Sequence, residues 1–192
     1  MTKGKSIHAG RVKPPVSERG RAHIKAHALH PLITIGSVVI YANPKGTYIC
    51  FVSDLDICND GYGPKHNDPS YQSETAYYSN KQCKPPGPSQ YLSGDVDKYI
   101  VVPPQVRSMV PPIVMGCQGK LTRLDDMVSH DAVTGEIGPD YETGEAAYCL
   151  AKLINPKITH NSGDDRLIYF YELWPGKAAV VDGKTYKLQP AA

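Results

Sequence analysis

The chain has 192 residues, 41% hydrophobic and 21% charged, enough for one domain with a core plus an appendage. No apolar run approaches a membrane span and no apolar secretory signal opens the chain, so no membrane association and synthesis in the cytosol are expected. The net charge of +2 hides an asymmetry: residues 1–30 hold seven Lys/Arg and one acid, residues 31–192 fourteen Lys/Arg and eighteen acids.

Residues 1–30 carry Gly, Pro and basic residues without apolar periodicity and read as a flexible arm, dispensable for folding, with the folded domain spanning 31–192. Such an arm suits an anionic partner, nucleic acid or a virion component, or is a solvated tail that orders on assembly. His23 and His27 are spaced to share a helical face, but no carboxylate accompanies them.

Leu32 to Tyr41 is a β-branched run, Asn43-Pro44-Lys45-Gly46 a turn, and Thr47 to Val52 the second strand of a hairpin. Ser53 to Asp68 then concentrates acids in what reads as a loop. Asp54, Asp56 and Asp60 approach a calcium-loop spacing, yet Cys58 stands where the third ligand belongs and no Glu closes the loop. Acids lining a cleft for a cationic ligand are the better reading. Residues 69–97 form a long polar, Tyr-rich segment around Pro85-Pro86-Gly87-Pro88. Strands follow at Asp97–Val102, then Ile113–Cys117 and Lys120–Leu124, turning at Gln118-Gly119. After the stretch described next come a loop at His160–Asp165, a strand at Leu167–Leu173, and two short strands joined by Asp182-Gly183.

Five cysteines without a CxxC pair give no zinc signature, and no metal or cofactor is expected. Cys50, Cys117 and Cys149 read as buried thiols, while a Cys58–Cys83 disulfide is open to a protein that leaves the cytosol. Thirteen Tyr against two Phe and one Trp suit sugar stacking or sheet surfaces.

The stretch from Val133 to Ile154 organises the chain. A short strand, Ala132–Ile137, ends on Glu136, and Gly138-Pro139-Asp140 turns the chain. Ala146, Ala147, Leu150, Ala151 and Ile154 then recur at helical spacing, which predicts Glu145 in the first helical turn. A chain folding back over this turn brings Glu136 and Glu145 to one mouth, as glycoside hydrolysis requires of paired carboxylates. The bland alternative is a capping Glu145 and a solvated Glu136. Some seven or eight strands and one main helix predict a mostly β, single-domain barrel with long loops.

Residues 135–153, from Gly135-Glu136-Ile137-Gly138-Pro139-Asp140 to Leu150-Ala151-Lys152-Leu153, resemble the signature of glycoside hydrolase family 75. These are the fungal-type chitosanases and their bacterial and phage-encoded relatives. Asp54-Leu55-Asp56 with Asp60-Gly61, Tyr99-Ile100-Val101-Val102-Pro103, and Asp164-Asp165 before Leu167-Ile168-Tyr169 resemble further family elements in the same order. The resemblance implies Glu145 as proton donor and, at the position of the family's catalytic Asp, Glu136 as the base that activates water. It implies an inverting mechanism on glucosamine-containing polysaccharide; such a cationic chain suits the acidic body, with Asp54, Asp56 and Asp60 as expected subsite contacts and Tyr62 and Tyr141 as expected platforms. The strand, Gly-Pro turn and helix are also similar to the active-site corner of double-psi β-barrel glycan enzymes. The alternative is a non-catalytic glycan-binding or structural module of a virion, which the basic arm and the Glu in place of Asp both favour.

Overall fold

A computed structural model of the chain describes residues 18–79, 90–109 and 111–189. Cys83, the Pro85–Pro88 segment and residues 1–17 of the expected arm lie outside the described residues. In chain order the elements are α1 (Glu18–Ala26), β1 (His30–Ile35), β2 (Val38–Ala42), β3 (Ile49–Cys58), β4 (Tyr99–Val102) and α2 (Pro104–Arg107). There follow β5 (Cys117–Arg123), β6 (Ser129–Ile137), β7 (Glu145–Ala147), α3 (Tyr148–Ile154), β8 (Asp164–Ala178), β9 (Val180–Val181) and β10 (Lys184–Thr185). Strands β3, β7, β4, β6, β5 and β8 are hydrogen-bonded in that order, and a β3–β8 pairing closes them into a six-stranded barrel. The β3–β7 and β4–β6 pairs are parallel and the others antiparallel. No helix among the described residues is long and apolar enough to cross a membrane.

The mostly β barrel agrees with the sequence reading, and four local expectations change. The run from Leu32 to Tyr41 is two strands, because Gly36 takes φ 57° and reverses the chain at Gly36-Ser37. Strand β3 continues to Cys58, so Asp54 and Asp56 stand on a strand and not in a loop. Gln118-Gly119 is no turn but the middle of β5, which pairs with β6 on one side and β8 on the other. A Cβ on Gly119 would come within 2.9 Å of Ile100 Cδ1, so the glycine serves close packing inside the barrel.

The fourth change concerns the start of α3. Leu150, Ala151 and Ile154 are buried at helical spacing as expected, but residues 145–147 form β7. Helix propensity is a weak prior, and here the pairing of Ala146 with both Ile57 and Ile100 outweighs it. Glu145 therefore sits on a strand, not in a helical turn.

Tyrosine serves the core more than the surface. Tyr99, Tyr169 and Tyr171 are among the largest fully buried side chains, and Tyr77 and Tyr186 are buried beside them. Each of the three large ones satisfies its hydroxyl. Tyr99 donates to the Asp60 carbonyl (3.0 Å), Tyr171 to the Gly144 carbonyl (2.7 Å) and Tyr169 to Asp164 Oδ2 (2.6 Å).

Residues 18–30 are not featureless. Helix α1 lies on the outside of the barrel, where His23 Nε2 meets the Tyr48 hydroxyl at 2.8 Å and that hydroxyl donates to Glu172 Oε1 at 2.7 Å. Leu29 joins Cys50, Leu124 and Phe170 in a second apolar cluster, with Ile24 packed against it. Part of the expected arm thus packs on the barrel. Deleting residues 1–29 is expected to lower the thermal midpoint by at least ~4 °C, since losing a buried Leu alone costs about 2–5 kcal/mol. An unchanged midpoint in a thermal melt would show that α1 contributes no packing.

Candidate active site

Four adjacent strands present one row of side chains at one end of the barrel. Glu136 on β6 is in register with Val101 on β4, and Glu145 on β7 is in register with Asp56 on β3. The antiparallel pair Ile100–Ala146 places Val101 opposite Glu145 one step further on. The row reads Glu136, Val101, Glu145, Asp56, and in-register partners of a sheet project to the same face. All four line one cavity of about 740 Å³. Because β4 intervenes, the backbones of the two glutamates are two strand spacings apart, about 9–10 Å along the sheet.

Asp60, Asp68 and Glu142 complete a wall of six carboxylates, and no Lys or Arg is found among the described lining residues. Of the predicted contacts, Asp56 and Asp60 line the cavity. Asp54 lies beside Asp56 but outside the wall, its Oδ1 accepting from Ser53 Oγ at 2.8 Å. Tyr62 and Tyr141 are exposed (54% and 69%), and neither lines the cavity. Tyr62 instead faces a neighbouring groove with Tyr71 and Tyr91.

The two glutamates are held differently. Glu136 Oε2 accepts from the Ala76 backbone N–H (2.8 Å) and Oε1 from the Ile137 N–H (2.7 Å). Both donors favour the ionised form, yet burial, with Asp60 and Glu145 nearby, pushes its carboxyl up to about 7. Glu145 is also pushed up to about 7, first by burial, against a hydrogen bond from the Cys58 thiol, and then by Asp60, Asp56 and Glu142. Cys58 stays a thiol because burial raises it far above its ordinary value. Asp56 is lifted to about 6 by burial and by Asp54, Asp165 and Glu142. Asp68 moves the other way: against burial, donors from Ser70 and Asn59 hold it below the usual carboxylate range.

The Gly-containing turn before Glu145 is fixed by close approach. Gly144 has φ 99°, its carbonyl accepts from the Asp56 N–H at 2.7 Å, and an added Cβ would collide with the Asp54 carboxylate. Gly144→Ala is expected to cost roughly 2–4 kcal/mol, combining backbone strain and overpacking. Urea denaturation checks this, and an unperturbed midpoint would mean that the turn relaxes freely.

Residues missed in the sequence are those brought in from loops. Glu142 lay within the central stretch without a role. Cys58 read only as one end of a Cys58–Cys83 disulfide, and the His160–Gly163 wall read as a plain loop. The His66, Asp95 and His160 group gave no signal because about 30 and 65 residues separate its members. Its ligating atoms lie within 4.8 Å of one another at the edge of the cavity. The four described cysteines, Cys50, Cys58, Cys117 and Cys149, are free thiols. No family model matches the chain, and no curated protein matches it.

Proposed function

We propose that this cavity hydrolyses β-1,4 bonds within a cationic, glucosamine-containing polysaccharide, chitosan or a de-N-acetylated cell-wall glycan. The observation that carries the reading is the pair Glu136 and Glu145, separated by one strand in an open cavity walled by six carboxylates. A wall of one sign attracts a substrate of the other, and ammonium groups on each sugar would neutralise carboxylates that repel one another. The resemblance of residues 135–153 to family 75 chitosanases points the same way.

Roles follow from the hydrogen bonds. Glu136, with a backbone N–H on each oxygen, is the better anion and serves as the base that draws a proton from water. Glu145, crowded by Asp56, Asp60 and Glu142, keeps its proton near neutral pH and delivers it to the leaving oxygen. Two strand spacings leave room for a water between sugar and base, the arrangement of inverting enzymes, whose carboxyls stand about 6.5–9.5 Å apart. Turnover should follow a bell around pH 7 whose limbs belong to the coupled pair.

A second reading is a non-catalytic glycan-binding or virion module. It is favoured by Glu136, whose oxygens are both already engaged by the backbone as an anchor would be. Reducing-end release from chitosan, with neutral chitin and an anionic polysaccharide beside it, separates the two. Cleavage of chitosan alone supports the hydrolase. Retention of chitosan without cleavage supports the binding module, and neither cleavage nor retention dismisses both.

A further inference from the structure

We propose that His66, Asp95 and His160 form a binding site for one divalent transition-metal ion of the zinc class, at the rim of the acidic cavity. The three residues come from separate loops, are each half-buried, and place one ligating atom apiece within 4.8 Å of the others. Two imidazoles and a carboxylate are a donor set that zinc accepts, with a fourth position left to water.

The hydrogen bonds around His160 set which ring nitrogen it can offer to a cation. Asn59 Nδ2 donates to Asp68 Oδ2 (2.9 Å) and to the His160 carbonyl (2.9 Å), which fixes the amide with its oxygen toward the ring. Asn59 Oδ1 lies 2.9 Å from His160 Nδ1, so Nδ1 carries the hydrogen and donates. An oriented Nδ1–H is the outer contact that metal-binding histidines use. His160 Nε2 is then left facing Asp95 Oδ1 at 3.6 Å, too long for a hydrogen bond. It is close to the separation of two ligands on one tetrahedral zinc, about 3.3–3.5 Å for bonds of ~2.0–2.1 Å.

His66 completes the set from the other side. Its Nε2 lies 2.7 Å from Asp95 Oδ2, and an ion bound there takes the place of the proton that this contact shares. The rings of His66 and His160 stack at 3.5 Å, so the ion turns one of them out of the stack. His160 is held by Asn59 and by Tyr148, which stacks on it at 3.5 Å. The ring that turns is His66, on an exposed loop. The ion would tie that loop and the Asp95 loop to the His160 segment, which lines the cavity. The site stands apart from Glu136 and Glu145, so its test does not depend on any hydrolytic activity.

The experiment is calorimetric titration of the chelator-stripped full chain with Zn²⁺, beside thermal melts with and without the ion. The expected result is one equivalent bound and a midpoint raised by about 5 °C or more at a hundredfold excess over Kd. Co²⁺ in its place should give the visible absorption of a tetrahedral site. His66→Ala and the near-isosteric Asp95→Asn should each abolish uptake while melting, metal-free, close to the wild type. His23→Ala and Cys149→Ser should keep it. Absence of saturable uptake would overturn the proposal. So would uptake that survives both His66→Ala and Asp95→Asn, or uptake lost in His23→Ala or Cys149→Ser.

Discussion

Glu145→Gln is expected to lower turnover of chitosan by roughly 10³-fold or more, because it removes the group proposed to protonate the leaving oxygen. Glutamine keeps the shape of the side chain and, like the protonated acid it replaces, carries no charge, so binding should change little. The contrast with Glu136→Gln is informative. That change should also remove activity, but it turns an amide toward two backbone N–H donors, those of Ala76 and Ile137. A carboxamide has one acceptor oxygen, so one donor loses its partner at a cost of about 1–3 kcal/mol. Steady-state kinetics with denaturation curves would separate the two variants. Turnover in Glu145→Gln equal to wild type would dismiss Glu145 as the acid.

The second large effect needs no substrate. Glu136 and Glu145 rise from 4.5 to about 7 on folding, and Asp56 from 3.8 to about 6. A carboxyl raised on folding binds its proton more tightly in the native state. Its stabilising contribution is full below the unfolded value and is lost as pH rises through the folded one. The cavity should therefore cost stability between about pH 4.5 and 7. Asp126, pulled down to about 2 by Arg123, and Asp164 act in the opposite sense, but below about pH 4. His23, His130 and His160, held below their ordinary value mainly by burial, oppose the carboxylates within the same window. The decisive quantity is thus the difference between wild type and Glu145→Gln. The variant should be more stable by roughly 1–3 kcal/mol at pH 8 and about equal at pH 4. A gain of the same size at both values would mean that the ionised side chain is not strained by its neighbours.

How much of this was legible in the sequence depends on what each feature rests upon. The barrel strands announce themselves through β-branched and aromatic runs, and the Gly-Pro turn between Glu136 and Glu145 is written in residues that permit little else. That turn singled out both glutamates, whereas Asp56 and Asp60 stood out as a concentration of acids in what read as a loop. What failed were features decided by partners distant in the chain. Glu145 lies on a strand because Asp56 and Ile100 are there to pair with its segment, against a local pattern that reads as helix. Gly119 looks like a turn residue and is a packing residue, since Ile100 fills the space it leaves. The abundance of tyrosine suited sugar stacking or sheet surfaces alike, because composition cannot tell a buried phenol from an exposed one. Tyr99 and Tyr171 are instead struts that hold the Asp60 and Gly144 carbonyls.

The spacing of the two glutamates makes the stereochemistry of cleavage the sharpest test of the account. Proton NMR of the first products released from chitosan by the wild-type protein reports the anomer before mutarotation obscures it. The intervening strand predicts inversion, so the α-anomer should appear first from a β-1,4-linked chain. First appearance of the β-anomer would mean direct nucleophilic attack by a carboxylate, and a chitosan chain left uncut would mean that the paired glutamates do no hydrolysis.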